Sequence, residues 1–257
     1  MFEFDQVVVT MPLGWLKKNP RAFVPPLPDR LSRAIGNIGY GCLEKVRLNL
    51  VSVKDVWLTV QVYLSFPTGY WLQPDVDGRT FRGFCQWLGP EFAPDTNPKK
   101  WTIEVVELAS LSPFRPFPTL LFYLYGDISR HIVTILASCS TQAEKDKFLV
   151  DFFRPYYSRL PNYNPTDPGC QPSGAFATTW LDDEFAGNGS YCNFQVGLEE
   201  GDKDLLAMRE GVPAEGIWFA GEHTAPFVAL GTATGAYWSG ELIAKRIANV
   251  YGQSKSM

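Results

Sequence analysis

The sequence predicts an α/β fold, and three observations carry that reading. A β-branched run, Gln6 to Thr10, ends at the turn signal Met11-Pro12-Leu13-Gly14. A second short apolar strand, Ile217 to Ala220, runs through Gly221-Glu222 into a helix from Thr232 to Ala248. Between them, strand-like segments are joined to a well-capped helix. With 257 residues and 46% hydrophobic content, the chain can bury one large core or two small ones.

Each element has its own warrant. The unbroken apolar run at residues 6–10 fits a strand buried on both faces, as in a parallel sheet. No earlier part of the chain is available to pair with it. Pro25-Pro26-Leu27-Pro28 is a stiff connector. Asp29 to Ile35 reads as a short helix, with Leu31, Ala34 and Ile35 on one face and Gly36 as its stop. Residues Leu43 to Val53 alternate: Lys45, Arg47 and Asn49 fall on one face, Val46, Leu48 and Leu50 on the other. Val60–Phe66, Trp101–Leu108 and Thr119–Tyr125 are further strands. The Gly-, Pro- and Asp-rich stretch from Pro67 to Lys100 reads as loop, as does Pro161–Gly174. Thr141-Gln142-Ala143-Glu144 is a capping box. It opens a helix with Phe148, Leu149, Phe152 and Phe153 on one face, ending before Pro161. On the last helix, Gly235, Gly240 and Ala244 are small enough to let it lie close to a sheet.

Composition removes several function classes. The net charge is −4 and the basic residues are scattered, so there is no basic stripe of the kind that tracks nucleic acid. No apolar stretch is long enough to span a bilayer, and the start, Met1-Phe2-Glu3-Phe4-Asp5-Gln6, lacks the pattern of a signal peptide. The five cysteines (Cys42, Cys85, Cys139, Cys170 and Cys192) are odd in number and contain no CxxC pair. They are expected as reduced thiols of an intracellular, cytoplasmic protein, with no metal site. On the same ground, the sequon Asn188-Gly189-Ser190 is read as coincidence.

The chemistry concentrates in Ile217 to Ile247. A carboxylate just past a strand end, here Glu222, accepts hydrogen bonds from sugar-like hydroxyls. A helix starting near Thr232 offers unpaired N–H groups and a positive dipole end, suited to an anion or to an oxygen that gains negative charge. Read without further context, Glu222 is a solvated loop carboxylate and Gly221 merely turns the chain.

Three segments together resemble the flavin-containing amine oxidases: monoamine oxidases, polyamine oxidases and lysine-specific histone demethylases. Phe219-Ala220-Gly221-Glu222-His223-Thr224, then Gly235-Ala236 and Ser239-Gly240, resemble the family's strand-end motif and flavin-facing helix. Trp180, Gly189-Ser190-Tyr191 and Gly197 resemble its tryptophan and glycine-serine-tyrosine motif. Asp5 to Gly14, Pro25 to Pro28 and Gly41 to Lys45 resemble the strand leaving its flavin domain and the lysine that follows.

The resemblance implies FAD as cofactor, with Gly221, Glu222, Thr232 and Ala233 binding it, Glu222 on the ribityl chain. It implies Trp180 and Tyr191 as substrate-pocket walls and Lys45 as the catalytic lysine holding a water near the flavin. Ser190 stands where some monoamine oxidases carry a flavin-linking cysteine, which implies noncovalent FAD. The implied reaction is oxidation of a small-molecule amine to an imine, with O₂ reduced to hydrogen peroxide.

The resemblance also implies two lobes: an incomplete FAD-binding α/β domain (residues 1–30 and 188–251, then a tail at 252–257) and a substrate domain, residues 31–187, with a mixed β-sheet flanked by helices. The family's GxGxxG unit, which holds the FAD pyrophosphate, has no counterpart here. Gly36, Gly39 and Gly41 are out of order and follow no strand. The expectation is therefore a C-terminal part, with a complementing chain carrying GxGxxG as a possible partner. The rival reading is a non-catalytic truncated paralogue that cannot hold FAD alone.

Overall fold

The computed structural model describes residues 2–41, 59–111, 114, 117–180, 182–195 and 197–254. In chain order its elements are β1 (Val7–Val9), α1 (Leu13–Lys18), α2 (Asp29–Asn37), β2 (Gly39–Tyr40), β3 (Thr59–Ser65), β4 (Phe84–Trp87), β5 (Ile103–Glu107), β6 (Thr119–Tyr125), α3 (Asp127–Ser138), α4 (Gln142–Tyr157), β7 (Gly174–Ala177), β8 (Cys192–Asn193), α5 (Gly201–Glu210), β9 (Ile217–Phe219) and α6 (Ala233–Ser254). The chain divides into two compact units, Met1–Trp57 with Trp180–Met257, and Leu58–Thr179.

In the first unit, β1 pairs in parallel with β9, Val8 opposite Trp218. The opening strand, for which no earlier part of the chain is available, finds its partner some 200 residues downstream by numbering (Val7 with Ile217). The expectation of burial on both faces is corrected. Val9 is buried, but Val7 and Val8 are 45% and 43% exposed.

β9 splits its side chains by the two-residue strand period. Phe219 joins a core with Val9, Leu13, Leu16, Leu31, Ile35, Ile38, Leu205 and Met208. Trp218 joins Ala220 and Ile243 of α6 in a second cluster, and the Arg246 guanidinium lies 4.9 Å from the Trp218 ring. Helices α2 and α5 are tied by buried Asp204, which accepts from Arg30 Nη1 at 2.5 Å and Asn37 Nδ2 at 2.9 Å. The sequence reading had no helix at α5.

The second unit is a five-stranded sheet in the order β4-β5-β6-β3-β7. All its described pairings are antiparallel, so the parallel pairing among the described residues is confined to β1–β9. Its covered face is built by alternation: Val60, Val62 and Leu64 on β3, Leu120, Phe122 and Leu124 on β6, Ile103 and Val105 on β5, all buried. Helix α4 packs on that face through Phe153, whose ring centroid is 4.3 Å from that of Phe122. The capping box forms as expected, Glu144 N–H donating to Thr141 Oγ1 at 3.2 Å and the Glu144 carboxylate accepting from Thr141 N–H at 3.1 Å. Residues 67–100, expected as loop throughout, contain β4, whose Cys85 pairs with Val105. The twelve residues of α3, with Ile128, Ile132 and Leu136 buried at helical spacing, also lie outside the expected elements.

Candidate functional site

Three distant stretches meet in the first unit. Strand β2 pairs antiparallel with β8, Tyr40 opposite Cys192. Gly41 N–H donates to Tyr191 O at 3.0 Å, and Ser190 Oγ donates to Gly41 O at 2.7 Å. The Tyr40 hydroxyl donates to Ala186 O at 2.7 Å. Glycine permits this closeness. A Cβ on Gly187 (φ 79°) would stand 2.2 Å from the Gly14 backbone, and one on Gly189 would stand 2.8 Å from the Tyr40 ring. Ala220 N–H continues the β1–β9 pairing onto Val9 O at 3.0 Å. The end of β9 is thereby set beside the Gly189-Ser190-Tyr191 segment.

Past β9 the chain turns at Gly221, whose φ of 150° suits glycine and whose Cβ would stand 2.7 Å from the His223 ring. Gly221 N–H donates to Ser239 Oγ at 2.8 Å, and Ser239 Oγ donates to Ala236 O at 2.7 Å. That serine on α6 fixes where the strand-end turn sits. Arg209 of α5 holds the other end of the turn, donating to Thr224 O at 2.9 Å and Ala225 O at 2.8 Å. His223 is buried, its Nε2 without a hydrogen-bond partner among the described residues. Burial pulls its pKa down to about 4, so the ring is neutral at pH 7.

Glu222 lies among backbone and thiol donors. Cys192 N–H approaches Oε1 at 3.2 Å and Oε2 at 3.3 Å, and Cys192 Sγ–H donates to Oε2 at 2.7 Å. Burial raises the Glu222 pKa, against the hydrogen bonds from Cys192 and the Gly231 N–H, which lower it. Glu222 is thus a half-buried acceptor held by donors, which replaces the reading of a solvated loop carboxylate.

Helix α6 starts beside it. Thr232 caps the helix, its Oγ1 accepting from Gly235 N–H at 2.9 Å and donating to Ala229 O at 2.7 Å. Helix geometry gives the amides of Ala233 and Thr234 no carbonyl within the helix, so the dipole end faces outward there. Gly235 is tightly enclosed: a Cβ would stand 2.0 Å from Ala229 O. The expectation that the small residues of this helix let it lie close to a sheet is corrected: Gly235 is enclosed by Ala225 and Ala229 of the preceding loop. Gly240 has open space around its Cβ position, and Ala244 is exposed.

Gly221, Glu222, Thr232, Ala233 and Tyr191 therefore share one unit. The Tyr191 ring lies beside Gly231, whose Cβ would stand 3.1 Å from it. Trp180 is 39% exposed, at the start of the segment returning to this unit. Lys45 lies outside the described residues. The sequence reading missed Ser239, Arg209 and the thiol of Cys192 as supports. Of these, only Ser239 carried a signal, as part of the Ser239-Gly240 pair.

The family described as flavin containing amine oxidoreductase matches residues 1–248. The chain belongs to that family. Among its curated relatives, the lysine-specific histone demethylase 1B homolog of Caenorhabditis elegans is 28% identical over 93% of this chain and 24% of its own length. The peroxisomal N(1)-acetyl-spermine/spermidine oxidase of Homo sapiens is 27% identical over 87% of this chain and 39% of its own length. In fold, the chain is similar to putrescine oxidase bound to putrescine (TM-score 0.55, 18% identity, 95% of this chain and 42% of that one). The chain thus spans well under half the length of these proteins.

Whether the residues fit a flavin is a question of donors and space. A half-buried acceptor at Glu222, the amides of Ala233 and Thr234 in the first turn of α6, and glycines at 221 and 231 fit the ring and ribityl half of the cofactor. The pyrophosphate needs glycine-loop amides at a helix N-terminus, and the strand β1 leads into α1 through Met11-Pro12-Leu13-Gly14 rather than through a glycine-rich turn.

Proposed function

We propose that this chain supplies the ribityl- and ring-facing wall of an FAD-dependent amine oxidase. The observation that supports this reading best is the gathering of the strand-end turn, the Gly189-Ser190-Tyr191 segment and the α6 N-terminus around half-buried Glu222. Bound flavin would supply oxidation of a small-molecule amine to an imine, with O₂ reduced to hydrogen peroxide. Glu222 would accept from ribityl hydroxyls, and the Ala233 and Thr234 amides would face the ring edge that gains charge on reduction. Tyr191 and Trp180 would bound the substrate pocket, and Lys45 would orient a water. Ser190 has no thiol and its hydroxyl is donated to Gly41 O, which supports noncovalent FAD.

In this reading the pyrophosphate is held by residues outside this sequence that form a GxGxxG strand–turn–helix unit. Calorimetric titration of FAD tests it. The chain by itself is expected to bind FAD weakly and to show no amine-dependent peroxide release. With a polypeptide carrying the GxGxxG unit, binding is expected to become tight and the flavin spectrum visible, with the flavin released to the supernatant on acid precipitation. Tight stoichiometric binding and turnover by the chain alone would overturn the need for a complement. No flavin binding in either case would favour the non-catalytic paralogue.

A further inference from the structure

The sequence reading gave Cys192 no role, yet its thiol is spent on the acid at the centre of the site. Cys192 is 2% exposed on β8, and its backbone is fixed by pairing with Tyr40 of β2. Its N–H and S–H both point to Glu222, the thiol reaching Oε2 at 2.7 Å. On the opposite side, the Glu222 backbone is fixed by the turn that Ser239 and Arg209 hold. The carboxyl is therefore suspended between two rigid backbones, with the thiol as a side-chain donor among backbone amides.

A buried cysteine usually acts as a small apolar side chain. Here apolar packing alone does not account for a sulfur aimed at a carboxyl oxygen in hydrogen-bond geometry. Neighbouring Tyr191 sits beside Gly231, whose N–H also bonds to Glu222. The acid, the aromatic ring and the loop leading to α6 thus meet beside Cys192.

We propose that Cys192 is a positioning residue for Glu222, its S–H···O bond holding the carboxyl in the orientation that presents it to a ligand hydroxyl. The ligand part rests on the flavin reading above; the thiol part does not. Removing the thiol would leave Oε2 only the longer contact from Cys192 N–H at 3.3 Å and loosen the carboxyl's orientation. Serine would restore a donor with slightly shorter reach; alanine would not.

Raman spectroscopy of the S–H stretch in the purified chain tests the hold directly. The difference spectrum between wild type and C192A is expected to show a band displaced to low frequency, as a strongly hydrogen-bonded thiol gives. In E222Q, where a weaker neutral acceptor faces the thiol, that band is expected to move back towards the free position. A Cys192 band at the free position, or one that E222Q leaves unmoved, would overturn the proposal. If C192A fails to fold, the E222Q measurement with the native thiol decides alone.

FAD titration then separates the two readings. With the polypeptide carrying the GxGxxG unit present, C192A is expected to bind FAD about tenfold more weakly, the scale of one lost hydrogen bond, and C192S to recover most of that loss. Equal FAD affinity in E222Q and wild type, with the wild-type thiol band at low frequency and moved back by E222Q, would defeat the flavin role of Glu222 and leave the thiol contact standing. Loss of affinity in C192S equal to that in C192A would overturn the donor role and reduce Cys192 to packing.

Discussion

The two units meet the demand for burial in different ways. In the unit Leu58–Thr179, five strands pair in antiparallel order and one face lies under α3 and α4. Antiparallel sheets tolerate one open face, so this unit closes its core with local chain alone. In the other unit the only described parallel pair is two strands wide, and parallel strands gain their stability from cover on both faces. There β1 leaves Val7 and Val8 nearly half exposed, and α6 exposes Tyr237, Trp238 and Leu242. The lesson is that the unit carrying the candidate site is the one whose apolar surface is less fully used within the chain.

Point substitutions give that comparison its largest expected effect. Phe122 is fully buried against Phe153 in the antiparallel unit. Phe122→Ala should cost about 3–5 kcal/mol, the usual range for a large aromatic removed from a core. Val8→Ala, at the half-exposed end of the parallel pair, should cost under about 1 kcal/mol. Urea unfolding of both variants checks this. A Val8 cost rivalling that of Phe122 would mean that the parallel pair is covered after all, and the contrast between the units would collapse.

Acid provides a second and smaller lever, because the chain has only two histidines and they divide between the units. His223 is buried with a folded pKa of about 4, well below the ordinary value near 6.5. The unfolded chain therefore binds a proton that the folded chain refuses. Stability is full above the unfolded pKa and falls as pH drops from about 6.5 towards 4. Between pH 7 and pH 5 this amounts to about 2 kcal/mol, taking 1.36 kcal/mol per pKa unit. His131, in the other unit, is also lowered, first by burial and then by Lys99. His131 is only half-buried, so its contribution has the same sign and is smaller. Hydrogen exchange at pH 5 and pH 7 should show α5, β9 and the turn after β9 loosening before β3 and β6 do. In His223→Gln the pH slope between 7 and 5 should flatten. An unchanged slope would show that His223 gains a proton without cost and that its burial is breached.

How much of this was legible in the sequence follows the same division. Strands β3, β5 and β6 were read within a residue or two because their alternation or apolar runs reflect a buried face. The α4 helix announced itself through Thr141 and Glu144, whose capping bonds are local. Strand β4 was missed because Gly, Pro and Asp around Phe84–Trp87 mark turns, and what makes it a strand is a pairing with β5 that no local pattern encodes. In the site, Glu222 and Gly221 were legible by family resemblance. Of their supports only Ser239 left a signal, in the Ser239-Gly240 pair; Arg209 and Cys192 left none, since they act through contacts 15 to 30 positions away in sequence. The partner of β1 was illegible for the same reason: a parallel pair across almost the whole chain leaves no sequence signal beyond two apolar triplets.

The smallest stability effect is expected where the surface question is sharpest. Val8 and Trp238 are both partly exposed, on β1 and α6. Replacing either with Lys removes no buried core atoms, so Val8→Lys and Trp238→Lys should each change unfolding free energy by about 0.5 kcal/mol or less, as surface substitutions do. Their effect on association should be larger. Apolar surface that the chain leaves open is removed from water when molecules meet, at roughly 25 cal/mol per Å², and a lysine ammonium resists that burial. Sedimentation velocity across a concentration series should therefore show wild-type chain self-associating and both lysine variants shifted towards monomer. If Val8→Lys abolishes association and Trp238→Lys does not, the open edge of the parallel pair is the adhesive part. A wild-type chain that stays monomeric at every concentration would show that these side chains are spaced too widely to act as one patch, and exposed β1 and α6 residues would then be ordinary surface.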